Sequence, residues 1–258
     1  MNAGAACGCG KAGPRALFRC AVDFRRWAAS LGLPKKSMER LAGAWRPVKY
    51  APGSAVFYQD HEPLGVYFLR SGSVKLVRCE GTGRQRIVRV VSAPSVLGER
   101  ALIAGQAYAA TGWILDEACI CAVSAERFRE IWALDPELAR FFARLLAVRL
   151  GVSDEAGTDL ALRTIRERIA KLIVKLSASE TGPEATVTLR MSRQDIAEVM
   201  GTSPEAVCRA FSDLSSKKIV SAQGRMVRIL DRERLRAAAG LTFINRPAAF
   251  CHVRPRAD

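Results

Sequence analysis

The sequence predicts an α+β fold in three parts: a roll of short strands, one long helix, and a compact helical segment closed by a hairpin. Three observations carry this expectation. Short apolar runs separated by Gly, Pro and Asp recur between residues 50 and 121, as expected of several short strands in a sandwich or roll. From 126 to 177 the only proline is Pro136, and apolar residues return at three- and four-residue spacing, which is the helical period. Beyond residue 163 positive charge is concentrated, with 18 Lys+Arg against 10 Asp+Glu in 96 residues, where the whole chain has 40 against 25.

The elements follow in order. Residues 1–24 form a segment containing Cys7, Cys9 and Cys20, and 17–46 read as helical. The roll is expected over 25–133, with strands at 54–58, 65–69, 72–77, 85–91, 111–115 and 119–123. In 72–77, Val74 and Leu76 alternate with Ser73 and Lys75, the period of a half-buried strand. Leu138, Phe141, Phe142, Leu145, Leu146, Val148 and Val152 keep one apolar face. Gly157-Thr158 reads as an interruption, followed by a second series at Leu160, Leu162, Ile165, Ile169, Leu172, Ile173 and Leu176. A long helix with such a face pairs with a copy of itself or lies across a domain, and the expectation is a dimerisation helix over 134–162. A compact domain follows over 163–240, and the tail 241–258 is assigned no structure.

A net charge of +15 attracts polyanions, either nucleic acid or an anionic membrane surface. No apolar stretch approaches the length of a membrane span, about 18 residues, and the N-terminus lacks the apolar run of a secretory signal. The expected location is the cytoplasm, where the eight cysteines stay reduced or bind something. Enzyme signatures are missing: there is no phosphate loop, no HExxH and no nucleophile elbow, and His61 and His252 are the only histidines, which also argues against haem. A thiol redox catalyst using Cys7-x-Cys9 is the enzyme alternative.

The motif with most content is MSRQDIAEVMGTSPEAVCRAFSDL at 191–214. Ser192 and Asp195 have capping-box spacing. Ile196, Val199 and Met200 share a helical face, and Gly201 supplies the left-handed stop. Ser203 and Pro204 open a second helix, whose apolar side is Val207, Ala210, Phe211 and Leu214. Two closely crossing helices need a small residue at the contact, a left-handed turn residue and an apolar plug; Ala197, Gly201 and Val207 meet these needs, so the segment is a helix-turn-helix. Its outward residues, Glu205, Cys208, Arg209 and Ser212, would then face the major groove, where Arg pairs with guanine and Glu accepts from cytosine. Ser192, Arg193, Thr202 and Ser203 stand near helix N-termini suited to phosphate. Residues 219–230 read as two strands about Gln223-Gly224, a wing beside the helices, with Lys217, Lys218 and Arg225 adding backbone contacts.

These residues resemble the Crp/Fnr family of bacterial transcriptional regulators over 17–240. PGSAVFY at 52–58, GVYFLRSGSVKL at 65–76 and LGE at 97–99 are similar to its cyclic-nucleotide-binding-like jelly roll, and 189–230 to its winged helix-turn-helix. The resemblance implies a DNA-binding, non-enzymatic regulator, an activator of the kind that contacts RNA polymerase. It further implies a homodimer whose recognition helices lie about 34 Å apart on a palindrome. The family's base-reading positions fall on Glu205, Cys208 and Arg209, and members with Glu and Arg there read a TGA/TCA core. The preceding position is Arg in the cAMP-binding type and Pro204 here; the Fnr type has Ser where this chain has Cys208.

The resemblance also bears on the signal. Cyclic-nucleotide binders of the family hold the ribose on Gly-Glu, matched by Gly98-Glu99, and the phosphate on an Arg whose place falls on Tyr108, with Arg100 at the wrong offset. Without that guanidinium a cyclic phosphate loses its bidentate partner, so cAMP is not the expected ligand and Gly98-Glu99 reads as a structural turn. A stand-alone cyclic-nucleotide-binding subunit is a further alternative. Members of the Fnr type carry a [4Fe–4S] cluster on three N-terminal cysteines and one from the roll, which implies Cys7, Cys9, Cys20 and Cys121 here, although Cys7-x-Cys9 is a tighter spacing and the next gap longer. The residues alone equally allow a thiol–disulfide switch or zinc at Cys7 and Cys9. They also allow Cys79, Cys119, Cys121 and Cys208 to be small hydrophobes with no such role.

Overall fold

A computed structural model of the chain describes residues 29, 31–178 and 185–241. Cys7, Cys9 and Cys20, the first part of the helix expected from residue 17 and the tail after 241 lie outside the described residues. In chain order the elements are α1 (Lys35–Ala42), β1 (Arg46–Tyr50), β2 (Ala55–Phe57), β3 (Gly65–Cys79), β4 (Gln85–Ser92), β5 (Ser95–Leu97), α2 (Glu99–Ala104), β6 (Thr111–Ser124), α3 (Ala125–Leu134), α4 (Pro136–Leu162), α5 (Ile165–Leu176), β7 (Thr186–Thr188), α6 (Arg193–Met200), α7 (Pro204–Ser216), β8 (Val220–Gln223), β9 (Met226–Ile229) and α8 (Arg232–Ala238). They fall into two compact units, the described part of 1–162 with 190–204, and 163–189 with the described part of 205–258.

In the first unit six strands form one sheet in the order β1-β6-β3-β4, with β2 paired to β6 and β5 to β3. The pairs are antiparallel. The roll differs from expectation in three ways. Arg46, where the expected helix ends, instead opens an edge strand over 46–50, in which Pro47 is tolerated because a missing N–H leaves no central ladder bond unmade. The runs 65–69 and 72–77 are one strand, whose register shifts between Leu69 and Val74. Gly72 stands in that stretch at φ 85°, and a Cβ there would lie 2.5 Å from the Glu117 carbonyl oxygen. The runs 111–115 and 119–123 likewise merge into β6.

Both faces of the central strands are buried, which is why they read as continuous apolar runs. On β3, Val66 and Phe68 enter one cluster with Leu41 and Trp45, with Phe128 and Ile131 of α3 and with Leu138 and Phe142 of α4. Their neighbours Tyr67 and Leu69 enter a second cluster with Val74, Leu97, Tyr108 and Ile120. The two-residue strand period thus feeds two cores from one element.

The apolar series from 126 to 177 is three helices, not a helix interrupted at Gly157-Thr158. α4 runs through Gly157 to Leu162, and an isolated glycine costs a helix only about 1 kcal/mol. The break comes where Thr164 starts a new helix through a capping box with Glu167. The first half of α4 packs on the roll through buried Leu138 and Phe142, whereas Val148 and Leu150 are 60% and 64% exposed.

In the second unit α5 packs against α8, and Arg163 Nη1 donates to the Ala239 carbonyl at 2.7 Å. The hairpin is present, but its turn falls on Gly224-Arg225, one residue later than read, since Gln223 still pairs with Met226. A third strand, β7, joins it in the order β7-β9-β8. Three residues of Thr-Val-Thr are too short to announce a strand by period.

Candidate functional site

α6 is capped as its sequence predicts. The Ser192 hydroxyl accepts from the Asp195 N–H at 3.0 Å, and the Asp195 carboxylate accepts from the Ser192 N–H at 3.0 Å and from its hydroxyl at 2.7 Å. Gly201 ends the helix at φ 60°, ψ 45°, in the left-handed region that glycine adopts without strain. Pro204 opens α7. There Val207, Ala210, Phe211 and Leu214 are buried, while Glu205, Cys208, Arg209 and Ser212 are exposed along the opposite side.

The residues expected near DNA phosphates divide. Ser192 commits its N–H and its hydroxyl proton to Asp195, so it serves as the cap of α6. The Thr202 N–H is likewise taken by the Ala197 carbonyl at 3.0 Å, leaving only its hydroxyl. Arg193 is half-buried and Ser203 exposed. Lys217 is exposed but paired with Asp213 at 2.9 Å, Lys218 is exposed at φ 54°, and Arg225 is exposed in the hairpin turn.

Within the first unit Lys75 Nζ also donates to Asp195, at 2.7 Å. Burial alone would push the Asp195 carboxyl up, but the hydrogen bonds from Lys75 and Ser192 outweigh it and hold the group below the ordinary carboxylate value. A depressed native value means stability that is present above the unfolded-state value and lost as the pH falls through the native one. We expect Asp195→Asn to lower the urea midpoint at neutral pH, by about 1 kcal/mol for a weakened cap. The gap to the parent should close in acid. A gap independent of pH would remove the carboxylate from this account.

At the far end of β5, Gly98 is left-handed at φ 80°, and a Cβ there would lie 2.9 Å from the Gly65 carbonyl oxygen. It turns the chain so that Glu99, 1% exposed, begins α2 inside the roll. Glu99 forms an ion pair with Arg149 of α4, which also donates to the Val96 carbonyl at 2.7 Å and to Ser95 Oγ at 3.2 Å. Tyr108 is buried. Its ring stacks on Phe57 at 4.3 Å, and its hydroxyl donates to the Gly65 carbonyl at 3.3 Å and accepts from the Leu64 N–H at 3.1 Å. Tyr108 therefore fills the place where a phosphate-binding arginine was sought. A guanidinium does reach Glu99, that of Arg149 from α4.

Of the four candidate cluster ligands, Cys121 alone lies among the described residues. It is buried in the apolar cluster beneath α1, and Cys119 is buried two residues before it. Cys79 and Cys208 are exposed, so neither is a core residue. Among the described residues no three His, Cys, Asp or Glu side chains are grouped to hold a metal ion, and no helix is long and apolar enough to cross a membrane.

Comparison with known proteins bears on this arrangement. Residues 47–135 match the model of the cyclic nucleotide-binding domain and 167–238 that of the Crp-like helix-turn-helix domain. The chain is 30% identical to the transcriptional activator protein FnrA of Stutzerimonas stutzeri over 76% of its own length and 80% of that protein. The chain belongs to the Crp/Fnr family. It is also 25% identical to a CRP-like cAMP-activated global transcriptional regulator of Mycobacterium tuberculosis, over 79% of this chain and 92% of that one. The structure of FixK2 from Bradyrhizobium japonicum superposes with a TM-score of 0.68 at 22% identity, covering 75% of this chain and 96% of that one, which supports the fold.

As a Crp/Fnr-type transcription regulator the chain has a DNA-binding helix-turn-helix and a roll of the nucleotide-binding type. The sequence reading of this Crp/Fnr roll passed over Arg149 and Arg89. Both carried a signal: Arg149 stands in the apolar stripe Phe142, Leu145, Arg149, Val152, and Arg89 is two residues from Val91 on a strand. A lone charge within an apolar period marks a buried ion pair or a site.

Proposed function

We propose that this regulator is a homodimer that reads a palindrome with TGA/TCA-like half-sites, with Glu205 and Arg209 contacting base edges. The observation that supports it best is the division of α7 into a buried side and an exposed side bearing Glu205, Cys208, Arg209 and Ser212. The second half of α4, with Val148, Leu150 and Val152 exposed, is the surface on which the partner copy packs. RNA polymerase is the further partner. The test is binding of a labelled TGA-containing duplex against a scrambled one across a salt series. Tighter binding of the palindrome, with a steep salt slope, is expected; equal affinity for both duplexes rejects the reading.

The signal we assign to the N-terminal half is of the redox or oxygen type, through Cys7, Cys9, Cys20 and Cys121. Four thiolates are what a [4Fe–4S] cluster requires, and such a cluster supplies a redox change that oxygen can trigger. Cys121, buried under the helix that follows the N-terminal segment, supports this assignment. Anaerobically purified protein should be brown, with iron and sulfide in the assay and a colour bleached by air. A colourless, iron-free preparation rejects the cluster.

A further inference from the structure

Residues 190–204, which hold α6 and the turn after it, belong to the same compact unit as the roll, and α6 packs against β4. The joint between them is made of charges and hydrogen bonds. Arg190 is exposed two residues before the cap of α6. Its Nη1 donates to Asp116 Oδ2 of β6 at 2.7 Å and to Ser73 Oγ of β3 at 3.1 Å. Ser73 and Asp116 stand opposite one another across those strands. Lys75 meets Asp195, and Gln85 Nε2 at the start of β4 donates to Glu198 Oε1 at 2.9 Å. Among the described residues, neither apolar cluster of the roll takes in a residue of 190–204.

Three features make this joint reversible. Its ion pairs are partly exposed, with the Lys75 and Arg190 side chains 27% and 57% exposed, and such pairs each contribute little and are screened by salt. It shares no apolar core, and polar contacts of this kind between domains leave relative motion as the default. It is also incompletely satisfied. Asp116 Oδ1 and Glu198 Oε2 are buried with no hydrogen-bond partner, and both regain water on separation. DNA competes for the same side of the segment. The first helix of a helix-turn-helix crosses the DNA backbone, so a guanidinium just ahead of α6 is placed for a phosphate. Here it holds a carboxylate instead.

We propose that the joint is autoinhibitory: Arg190 is a cation for the DNA backbone, Asp116 of the roll occupies it as a phosphate would, and α6 leaves β4 before DNA takes its place. Lys75 and Gln85 hold the closed arrangement through Asp195 and Glu198. The inference rests on the helix-turn-helix as the DNA-binding element, and is independent of the base contacts and of the redox signal proposed above. Release uncovers a phosphate contact, so it raises affinity for every duplex, whatever its bases.

The full chain and its variants are titrated into two labelled duplexes, the TGA-containing palindrome and a scrambled counterpart, at one salt concentration. Asp116→Asn should bind both about 3-fold or more tightly, the scale of one partly exposed ion pair. Glu117→Gln removes the same charge from an exposed neighbour and should change neither by as much. The sharper variant is Gln85→Lys, at an exposed position where substitution leaves the core intact. Added positive charge ordinarily strengthens binding to DNA. An ammonium here instead meets the unpaired Glu198 Oε2 and tightens the joint, so Gln85→Lys should weaken binding to both duplexes about 3-fold or more. Adding Glu198→Gln should remove that loss. Three results would each overturn the proposal: tighter or parent-like binding by Gln85→Lys, a gain in Asp116→Asn no larger than in Glu117→Gln, or an Asp116→Asn protein that binds neither duplex. Equal affinity of the parent for both duplexes rejects the base reading alone, since the joint is read from the shift common to both and the base reading from the ratio between them.

Discussion

Arg209→Ala is expected to weaken binding to a TGA-containing palindrome by about 1–3 kcal/mol, some 5- to 150-fold per recognition helix, and to relax preference at one base pair of each half-site. Arg209 is exposed on the same side of α7 as Glu205, and buried Val207, Ala210 and Phe211 hold the other side. Its removal would therefore delete the proposed base contact without opening the core. The comparison is with Arg225→Ala in the hairpin turn, which should weaken all duplexes alike and reduce the salt slope by about one phosphate contact. Competition binding on the parent duplex and three single-base variants separates the two patterns. If Arg209→Ala keeps the parent's affinity and base preference, α7 is not the reading helix.

Phe142→Ala should cost about 3–5 kcal/mol of stability, the range for deleting a buried aromatic ring. Phe142 is fully buried on α4, edge-on to Phe128 at 5.3 Å and to Phe141 at 5.1 Å, and 5.9 Å from Trp132. Rings in these arrangements attract beyond their buried area, and in a close-packed cluster such as the one that holds Phe142 the neighbours relax only partly into the space left behind. Urea unfolding followed by tryptophan fluorescence reports on the site through Trp132. A loss below about 1 kcal/mol would mean that the helices and sheet do not share this core.

Several elements were legible because their causes are local. Ser192 with Asp195, then Gly201, then Pro204 define two helices and the turn between them by capping and backbone chemistry confined to a dozen residues, and the observed dihedrals agree. The two sides of α7 follow from helical period alone. Strands at 85–91 and 54–58 were found within two residues of their observed ends.

What was misread depended on distant partners. Residues 46–50 have a proline and no clear alternation, and become a strand because β6 offers its edge. The runs on either side of Gly72 look like two strands, since nothing nearby says that the chain passes through a bend and continues along the same neighbour. Gly157-Thr158 reads as an interruption because the cost of a helical glycine is visible locally, whereas the break falls at Thr164, whose capping box with Glu167 starts the next helix.

The amino-acid sequence by itself determined the family, the order of roll, long helix and winged helix-turn-helix, and the face that α7 turns outward. These rest on short-range period, caps and turn residues, which are written in consecutive positions. Only the tertiary structure decided the interior of the roll. It set Tyr108 where an arginine was sought, paired Glu99 with an arginine fifty residues away, and set Arg89 on an inward face opposite Leu76. Ion pairs and buried charges join residues far apart in the chain, and their energy depends on how fully the fold withdraws them from water.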